Sequence, residues 1–389
     1  MSETRHLIIG GGMTGHAAAA AIREADRDGS IAMLSTEADR PYARPLLSKG
    51  LWLGKPEESV WLAEVPGLQF HGGRRAVALD VRAREVRDDH GDVHRYDRLL
   101  LATGGAPRRL PVGGDRVIYY RTLADYRRLR ALEGRRVVVI GGGFIGSELA
   151  ASLAANGKEV AMIFPEAAVG ANPYPSELAG YLTRYFREKG VRILAGDTVV
   201  GIEERGGATV VRTRSGAEIE ADAVVAGLGI TPDTALADAA GIRCSDGIEV
   251  DERLETSAPG VYAAGDVARF PNEALGERTR VEHEDAALSM GRTAGRNMAG
   301  AGERYDHLPF FYSDIFDLGY EAVGKLDARL ETVTSWKTPF REGVVYYLEG
   351  DRVRGVLLWG IFGQVDAARA LVAGRSPVSR ASLPDAIHV

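Results

Sequence analysis

Two glycine-rich stretches hold the residues whose types and spacing point most clearly to chemistry. In one of them, Gly141, Gly143 and Gly146 follow the apolar run 136–140 and give the spacing GxGxxG. The first glycine allows a tight turn, the second lets the backbone approach a pyrophosphate, and the third lets a helix pack closely on the strand. The free N–H groups at the start of such a helix favour a phosphate. The pattern predicts a dinucleotide site, with a helix opening at Ser147.

An acidic residue follows this loop at the spacing expected for ribose recognition. Glu166 lies twenty residues after Gly146, just beyond a second apolar strand, 159–164. A carboxylate there accepts hydrogen bonds from an adenosine ribose, and no Arg stands beside it to bind a 2′-phosphate. The sequence therefore predicts NADH rather than NADPH as the ligand of this site.

The N-terminus repeats the same arrangement. Gly10, Gly12 and Gly15 follow the apolar residues 7–9, and Glu37 comes roughly twenty residues further on. Either loop alone could be an ordinary glycine turn, but the two together predict two dinucleotides. The usual reason to hold two dinucleotides is to pass a hydride from a diffusible nicotinamide to a bound flavin.

The segment 40–49 is unusual because two prolines, two arginines and a lysine interrupt an apolar stretch. Proline fixes the backbone, so the side chains of Arg44 and Lys49 are expected to be held in a set direction rather than free. A plain surface loop is the other interpretation of this composition.

This segment resembles the signature loop of the FAD-dependent reductases that serve ferredoxins and rubredoxins, and of the apoptosis-inducing factors. These proteins form a cysteine-free branch of the pyridine nucleotide-disulfide reductase superfamily. The resemblance implies that Arg44 contacts FAD, and that Lys49 lies near the flavin N5 and pairs with Glu148. A cation at that place would stabilise negative charge on the flavin, and the carboxylate would keep the lysine charged. An incidental ion pair is the alternative.

Further stretches extend the resemblance. Asp266 follows a short apolar strand at a glycine turn that is expected to open a helix, where it could accept from ribityl hydroxyls or act as a plain helix cap. Phe144 is expected where the nicotinamide arrives, unless it is a core aromatic, and His283 has a positioning role or is structural. The other residues that the resemblance places at the cofactors are Thr14, Thr36, Glu37, Val77, Thr103, Arg108, Glu282, His283 and Tyr312 on the FAD side, and Ile145 and Gly229 on the NAD side.

Composition excludes several classes of function. Cys244 is the one cysteine, so intramolecular disulfide chemistry is ruled out, and no zinc or other metal site is visible. The net charge of −6 argues against nucleic acid as the partner. No apolar run reaches membrane-spanning length, and the protein is expected to stay in the cytoplasm.

These elements predict an α/β protein with two Rossmann-like dinucleotide-binding domains in the glutathione-reductase manner, and a small α+β C-terminal domain. The expected boundaries are 1–109 with 230–304 for FAD, 110–229 for NAD and 305–389 for the third domain. A helix over 117–132 is expected to lead into the second dinucleotide fold.

Two functions fit this resemblance. The first is an oxidoreductase that passes hydride from NADH to FAD and electrons on to a small iron–sulfur protein or a quinone. The second is an NADH-responsive sensor, similar to apoptosis-inducing factor, in which the reduced flavin–NAD complex controls dimerisation or partner binding. Either a monomer or a homodimer is compatible with both. The hydride-transfer residues are all present, which favours the enzyme.

Overall fold

A computed structural model describes residues 2–388 of the chain. They form two compact units. The first unit comprises Met1–Ala43, Glu58–Ala106 and Thr231–Pro309, and the second comprises Arg44–Glu57, Pro107–Ile230 and Phe310–Val389. The three-domain boundaries drawn from the sequence stay a prediction.

Among the described residues the α-helices are α1 (Met13–Ala25), α2 (Leu123–Arg130), α3 (Phe144–Ala155), α4 (Ser176–Glu188), α5 (Ala235–Ala239), α6 (Glu284–Met298) and α7 (Val365–Ala373). The strands up to residue 119 are β1 (Ser2–Ile9), β2 (Ile31–Ser35), β3 (Leu68–Gly72), β4 (Ala76–Asp80), β5 (Glu85–Asp88), β6 (Val93–Leu101), β7 (Gly105–Pro107) and β8 (Val117–Tyr119).

The next strands are β9 (Arg136–Ile140), β10 (Glu159–Phe164), β11 (Arg192–Ala195), β12 (Val199–Arg205), β13 (Ala208–Thr213), β14 (Glu218–Ala221), β15 (Ala223–Ala226), β16 (Ile230–Pro232), β17 (Cys244–Ser245), β18 (Gly247–Glu249), β19 (Val261–Ala263), β20 (Ala268–Asn272) and β21 (Glu277–Thr279). The last are β22 (Phe310–Ile315), β23 (Leu318–Gly324), β24 (Glu331–Thr338), β25 (Glu342–Glu349) and β26 (Arg352–Trp359).

The first unit is built on a sheet whose strands β3, β2, β1, β6 and β19 are parallel. Strands β5 and β4 extend it in antiparallel pairing. The carboxyl ends of parallel strands meet at one edge, so the residues after β1, β2, β6 and β19 gather there. This register places the turns that begin at Gly10, Thr36, Ala102 and Ala264 along one edge of the sheet.

Helices α1 and α6 pack together on this sheet although they lie far apart in the chain. A Cβ on Gly291 would lie 2.4 Å from the Thr14 carbonyl oxygen, and one on Gly295 would lie 2.4 Å from that of Ala18. The two glycines are therefore required for the close approach of the helices.

The second unit holds a five-stranded parallel sheet in the order β11-β10-β9-β15-β8. Gly141, Glu166 and Gly227 follow β9, β10 and β15, so they lie at one edge. A separate antiparallel sheet in the order β22-β23-β26-β25-β24 carries α7, with Tyr320 and Trp359 fully buried. The predicted fold class is confirmed: parallel Rossmann-like folds are joined to a C-terminal domain with an antiparallel sheet.

Three local predictions were wrong. The second glycine loop opens its helix at Phe144 rather than Ser147. The helix expected over 117–132 begins only at Leu123, where Thr122 and Asp125 form a capping box, and Val117–Tyr119 is a strand paired with β15. The glycine turn at Asp266 is a single 3₁₀ turn, after which the chain continues as β20.

Candidate active site

In the first glycine loop, two of the glycines lie against backbone atoms and the third faces open space. Gly10 has φ +121°, and a Cβ there would lie 2.1 Å from the Ala102 carbonyl oxygen. A Cβ on Gly15 would lie 2.1 Å from the Gly10 carbonyl oxygen, whereas a Cβ on Gly12 would meet no described atom within 4 Å. Two glycines therefore serve the protein's own packing, and the third leaves room where a phosphate would approach.

The second loop repeats this division. Gly141 has φ +117° and approaches the Gly227 carbonyl oxygen, and a Cβ on Gly146 would lie 2.1 Å from the Gly141 carbonyl oxygen. Around Gly143, as around Gly12, a Cβ would meet none of the described atoms within 4 Å. Both residues are the N-caps of their helices, and no side chain among those described caps the N–H groups there. Both loops therefore fit the phosphates of a dinucleotide.

The two carboxylates predicted to bind ribose lie beyond the second strand of each dinucleotide fold. Glu37 is half-buried and accepts a hydrogen bond from the Tyr42 hydroxyl at 2.5 Å, while Thr36 beside it is exposed. Glu166 is also half-buried, and Asn172 Nδ2 lies 3.5 Å from its Oε1. Each carboxylate therefore already has a neighbouring donor, and the hydroxyls of a ribose would be further donors to it.

The pairing of Lys49 with Glu148, which the resemblance implied, is confirmed. Lys49 Nζ lies 2.7 Å from Glu148 Oε2, and the two side chains are 12% and 4% exposed. Ser48 Oγ donates to the same oxygen at 2.6 Å, and Ser313 Oγ donates to Oε1 at 2.6 Å. This buried carboxylate therefore accepts one cationic and two hydroxyl donors, which makes an incidental surface pair untenable.

Helix α3 holds the segment that carries Lys49 through a stripe of side chains spaced four residues apart. After Glu148, Ser152 Oγ donates to the Ser48 carbonyl oxygen at 2.7 Å. One turn further, Asn156 Nδ2 donates to the Trp52 carbonyl oxygen at 2.7 Å. Residues at i, i+4 and i+8 share one helix face, so the helix of the second glycine loop also fixes the position of the lysine.

Aromatic side chains lie next to Lys49 and at the start of α3. The Tyr312 ring centroid lies 5.3 Å from Lys49 Nζ. Phe144 is 40% exposed and meets Phe311 edge-on, with 5.6 Å between ring centroids, and Ile145 is equally exposed. The exposure of Phe144 contradicts the alternative that it is a core aromatic, and it leaves an apolar surface at the start of α3.

Asp266 and His283 lie in the first unit. Asp266 follows β19 in the 3₁₀ turn Gly265–Val267, where a Cβ on Gly265 would strike the buried Thr14 hydroxyl. Because no α-helix begins there, the alternative that Asp266 caps a helix is wrong. Burial lowers the pKa of His283 to about 4, although Asp266 and Asp285 act in the opposite direction. His283 is therefore a neutral imidazole near pH 7.

Several of the predicted cofactor-binding residues form hydrogen bonds within the protein. Glu282 is exposed and accepts from Arg280 at 2.9 Å, and the Thr103 hydroxyl donates to the Asp233 carbonyl oxygen at 2.6 Å. The guanidinium of Arg44 donates to the Arg121 carbonyl oxygen at 2.9 Å.

The remaining predicted cofactor residues are more exposed. Arg108 Nε donates to the Ile230 carbonyl oxygen at 3.2 Å. The backbone N–H of Arg108 donates to the carbonyl oxygen of Gly229, which has φ +77°. Val77 is 51% exposed on β4. The cofactor roles of these residues stay predictions.

Sequence reasoning missed Ser48 and Ser313. Ser313 is separated from Glu148 by 165 positions in the chain. Ser48 lies beside Lys49, so its neighbourhood was visible, but a serine next to a lysine does not by itself predict a carboxylate partner.

Further features of the described residues concern metal binding, membrane crossing and the thiol. In residues 2–388 no cluster of three or more His, Cys, Asp or Glu side chains is placed to hold a metal ion. Over the same described range, no helix combines the length and the apolar character needed to cross a bilayer. Burial raises the pKa of Cys244 to about 12, so this thiol stays protonated.

Known proteins are similar to this chain in sequence and in fold. The family model for pyridine nucleotide-disulphide oxidoreductase matches residues 4–291, and the model for the C-terminal part of apoptosis-inducing factor, mitochondrion-associated, matches 294–339 and 334–374. Mitochondrial apoptosis-inducing factor 1 of Dictyostelium discoideum is 32% identical, over 97% of this chain and 80% of that protein. The ferredoxin–NAD(+) reductase component of the anthranilate 1,2-dioxygenase system of Burkholderia cepacia is 34% identical, over 96% of this chain and 95% of that protein.

Solved structures give the same result. The covalent putidaredoxin reductase–putidaredoxin complex matches with a TM-score of 0.92 at 30% identity, over 99% of this chain and 96% of that chain. The chain therefore belongs to the pyridine nucleotide-disulphide oxidoreductase family, as its sequence predicts. It is an FAD-dependent NAD(P)H oxidoreductase. With Cys244 as its one cysteine, it has no cysteine pair to reduce a disulfide.

Proposed function

We propose that the protein oxidises NADH and delivers the electrons to a small iron–sulfur protein of the ferredoxin class. The observation that carries this proposal is the buried Lys49–Glu148 pair, held by Ser48 and Ser313 in a chain without a redox cysteine pair. Two of the matched proteins support an acceptor of this class. One is named a ferredoxin–NAD(+) reductase component, and the other is a putidaredoxin reductase in complex with putidaredoxin.

Each part of the chain has a defined task in this reaction. Bound FAD supplies the conversion of a two-electron hydride into single-electron steps. The loop at Gly12 would bind its phosphates, and Lys49 would stabilise negative charge on it. The loop at Gly143 and the carboxylate of Glu166 would bind NADH. Phe144 would cover the nicotinamide side with an apolar surface that keeps water away.

NADH is the proposed donor because of Glu166. Its carboxylate is half-buried at the end of β10. A 2′-phosphate would meet this negative charge, whereas a ribose hydroxyl would donate to it.

Docking of an acidic partner would use only some of the basic residues. Arg280 pairs with Glu282 and Asp246, and Arg341 pairs with Asp317, so their charges are largely neutralised. Arg108 is exposed, and no described residue pairs with its terminal nitrogens, which leaves them for such an encounter.

The test is anaerobic reduction of the purified yellow protein by NADH, followed by addition of a ferredoxin, a quinone or oxygen. We expect rapid bleaching of the flavin and fast reoxidation by ferredoxin. Reoxidation by quinone alone would replace the proposed acceptor, and failure of NADH to bleach the flavin would overturn the proposal. A parallel titration with NADPH tests the preference for NADH.

A sensor function is the second candidate. It is favoured by the match of residues 294–374 to the C-terminal model of apoptosis-inducing factor. Slow bleaching to a long-wavelength charge-transfer band that resists oxygen, with a change in oligomeric state, would support it. A cytoplasmic location, and the choice between monomer and homodimer, stay predictions.

A further inference from the structure

The carboxylate of Glu148 is held at both oxygens. Oε2 faces Lys49 Nζ at 2.7 Å and Ser48 Oγ at 2.6 Å. Oε1 accepts from Ser313 Oγ at 2.6 Å, and Ser313 is the one donor to that oxygen among the described residues. Glu148, Ser48 and Ser313 are all buried.

This division makes the two serines unequal. The terminal torsion of a glutamate is broad and roughly two-fold, so donors on its oxygens decide the plane of the carboxylate. If Ser48 is removed, Oε2 keeps Lys49 as its partner. If Ser313 is removed, Oε1 keeps no donor among the described residues, and a buried carboxylate oxygen without a donor is costly.

Ser313 is itself fixed by the C-terminal sheet. It lies in β22 directly opposite Tyr320 of β23. Tyr320 is buried, and its hydroxyl makes no hydrogen bond of good geometry among the described residues, with Ser313 and Tyr174 as its polar neighbours. The Ser313 hydroxyl therefore has two polar neighbours, the Tyr320 hydroxyl and the Glu148 carboxylate.

We propose that Ser313 is a positioning residue that acts through Glu148 to hold the Lys49 ammonium in place. The C-terminal sheet, which supplies Ser313, is then part of the redox machinery rather than an appended domain. This inference rests on the proposed function, because it assumes that Lys49 stabilises negative charge on the flavin.

The test compares Ser313→Ala with Ser48→Ala in the FAD-loaded protein. Ser335→Ala is the matched control, because Ser335 lies in the same sheet on β24. Among the described residues its hydroxyl makes one hydrogen bond, to the Pro384 carbonyl oxygen at 3.4 Å. For Ser313→Ala we expect the rate constant of reduction by NADH to fall on the order of tenfold. The KM for NADH should change little, and the flavin midpoint potential should become more negative.

Two features separate positioning from a merely structural role. A structural role would lower the melting temperature and leave the potential unchanged. Ser313→Thr restores the hydroxyl and should restore the potential. If Ser313→Ala loses FAD, Ser313→Cys keeps the volume with a weak donor and undergoes the same measurements.

The outcomes are distinct from those of the proposed function. If wild-type flavin is not reduced by NADH, the proposed function fails whatever Ser313 does. If wild-type flavin is reduced and Ser313→Ala matches it in rate and potential, the inference is overturned. An effect of Ser48→Ala equal to or larger than that of Ser313→Ala would also overturn it.

Discussion

Lys49 and Glu148 form an ion pair of 2.7 Å inside the second unit, with 12% and 4% of their side chains exposed. A pair so far withdrawn from water differs from an exposed one in what its loss costs. Exposed pairs contribute little, whereas the removal of one partner of a buried pair leaves a charge without compensation.

Lys49→Ala is therefore expected to destabilise the protein by about 3 kcal/mol and to slow flavin reduction by NADH. The matched control is Lys55→Ala, since Lys55 is exposed in the same segment. Chemical unfolding and stopped-flow reduction measure the two effects. Unchanged FAD content together with an unchanged reduction rate would disprove the assignment of Lys49.

The second glycine loop allows folding and binding to be separated. Gly146→Ala would place a Cβ 2.1 Å from the Gly141 carbonyl oxygen, so we expect loss of stability. Gly143→Ala meets no described atom within 4 Å, and its φ of −83° suits alanine. This variant should keep its melting temperature while the KM for NADH rises roughly tenfold, equivalent to about 1.4 kcal/mol. Equal damage to stability by both variants would contradict the division of tasks.

Glu166→Ala is expected to raise the KM for NADH roughly tenfold and to leave kcat nearly unchanged, because ribose contacts act mainly on binding. The same variant should narrow the preference for NADH over NADPH. Glu159→Ala, at the exposed start of the same strand, is the control. Steady-state kinetics with both nucleotides measure this, and an effect confined to kcat would refute the role of Glu166.

The imidazole of His283, whose Nδ1 atom is buried, links stability to pH. Its folded pKa of about 4 lies below the ordinary value of 6.5, so the unfolded chain binds the proton more readily. This residue's contribution is fully present above pH 6.5 and is lost as the pH falls to about 4, by roughly 3 kcal/mol in all. Denaturant unfolding from pH 7 to 4 should therefore show a shallower loss for His283→Gln than for wild type. His90→Gln, at an exposed histidine, should behave as wild type does, and parallel curves for His283→Gln would count against the burial of this ring.

Local spacing predicted the parts of the site that lie within one strand, loop and helix. Gly141, Gly143 and Gly146 were predictable because their spacing already contains the turn, the phosphate approach and the helix packing. The Lys49–Glu148 pair came from resemblance, since no periodicity connects two residues that are brought together only by the fold.

Other parts depended on distant pairing. Residues 268–272 form a strand after Asp266 because they pair with β18 and β21. The predicted helix was based on the local glycine turn, which carries no sign of these pairings. Ser313 reaches Glu148 across 165 positions, so its hydroxyl had no local sign of a partner. By contrast, the sequence itself contains a signal for the start of α2, because Thr122 and Asp125 have the spacing of a capping box. The predicted helix start at 117 was wrong because it did not use this signal.

The close seating of α6 on α1 limits how this protein can be rebuilt. Gly291 and Gly295 bring α6 against the backbone of Thr14 and Ala18. The nucleotide fold at the N-terminus therefore cannot be transferred to another protein by itself. A recombinant fragment ending before residue 284 would lack α6, which packs against α1. Chimeras made from two parents would need to inherit both helices from the same one, because any side chain at 291 or 295 would strike a carbonyl of its neighbour.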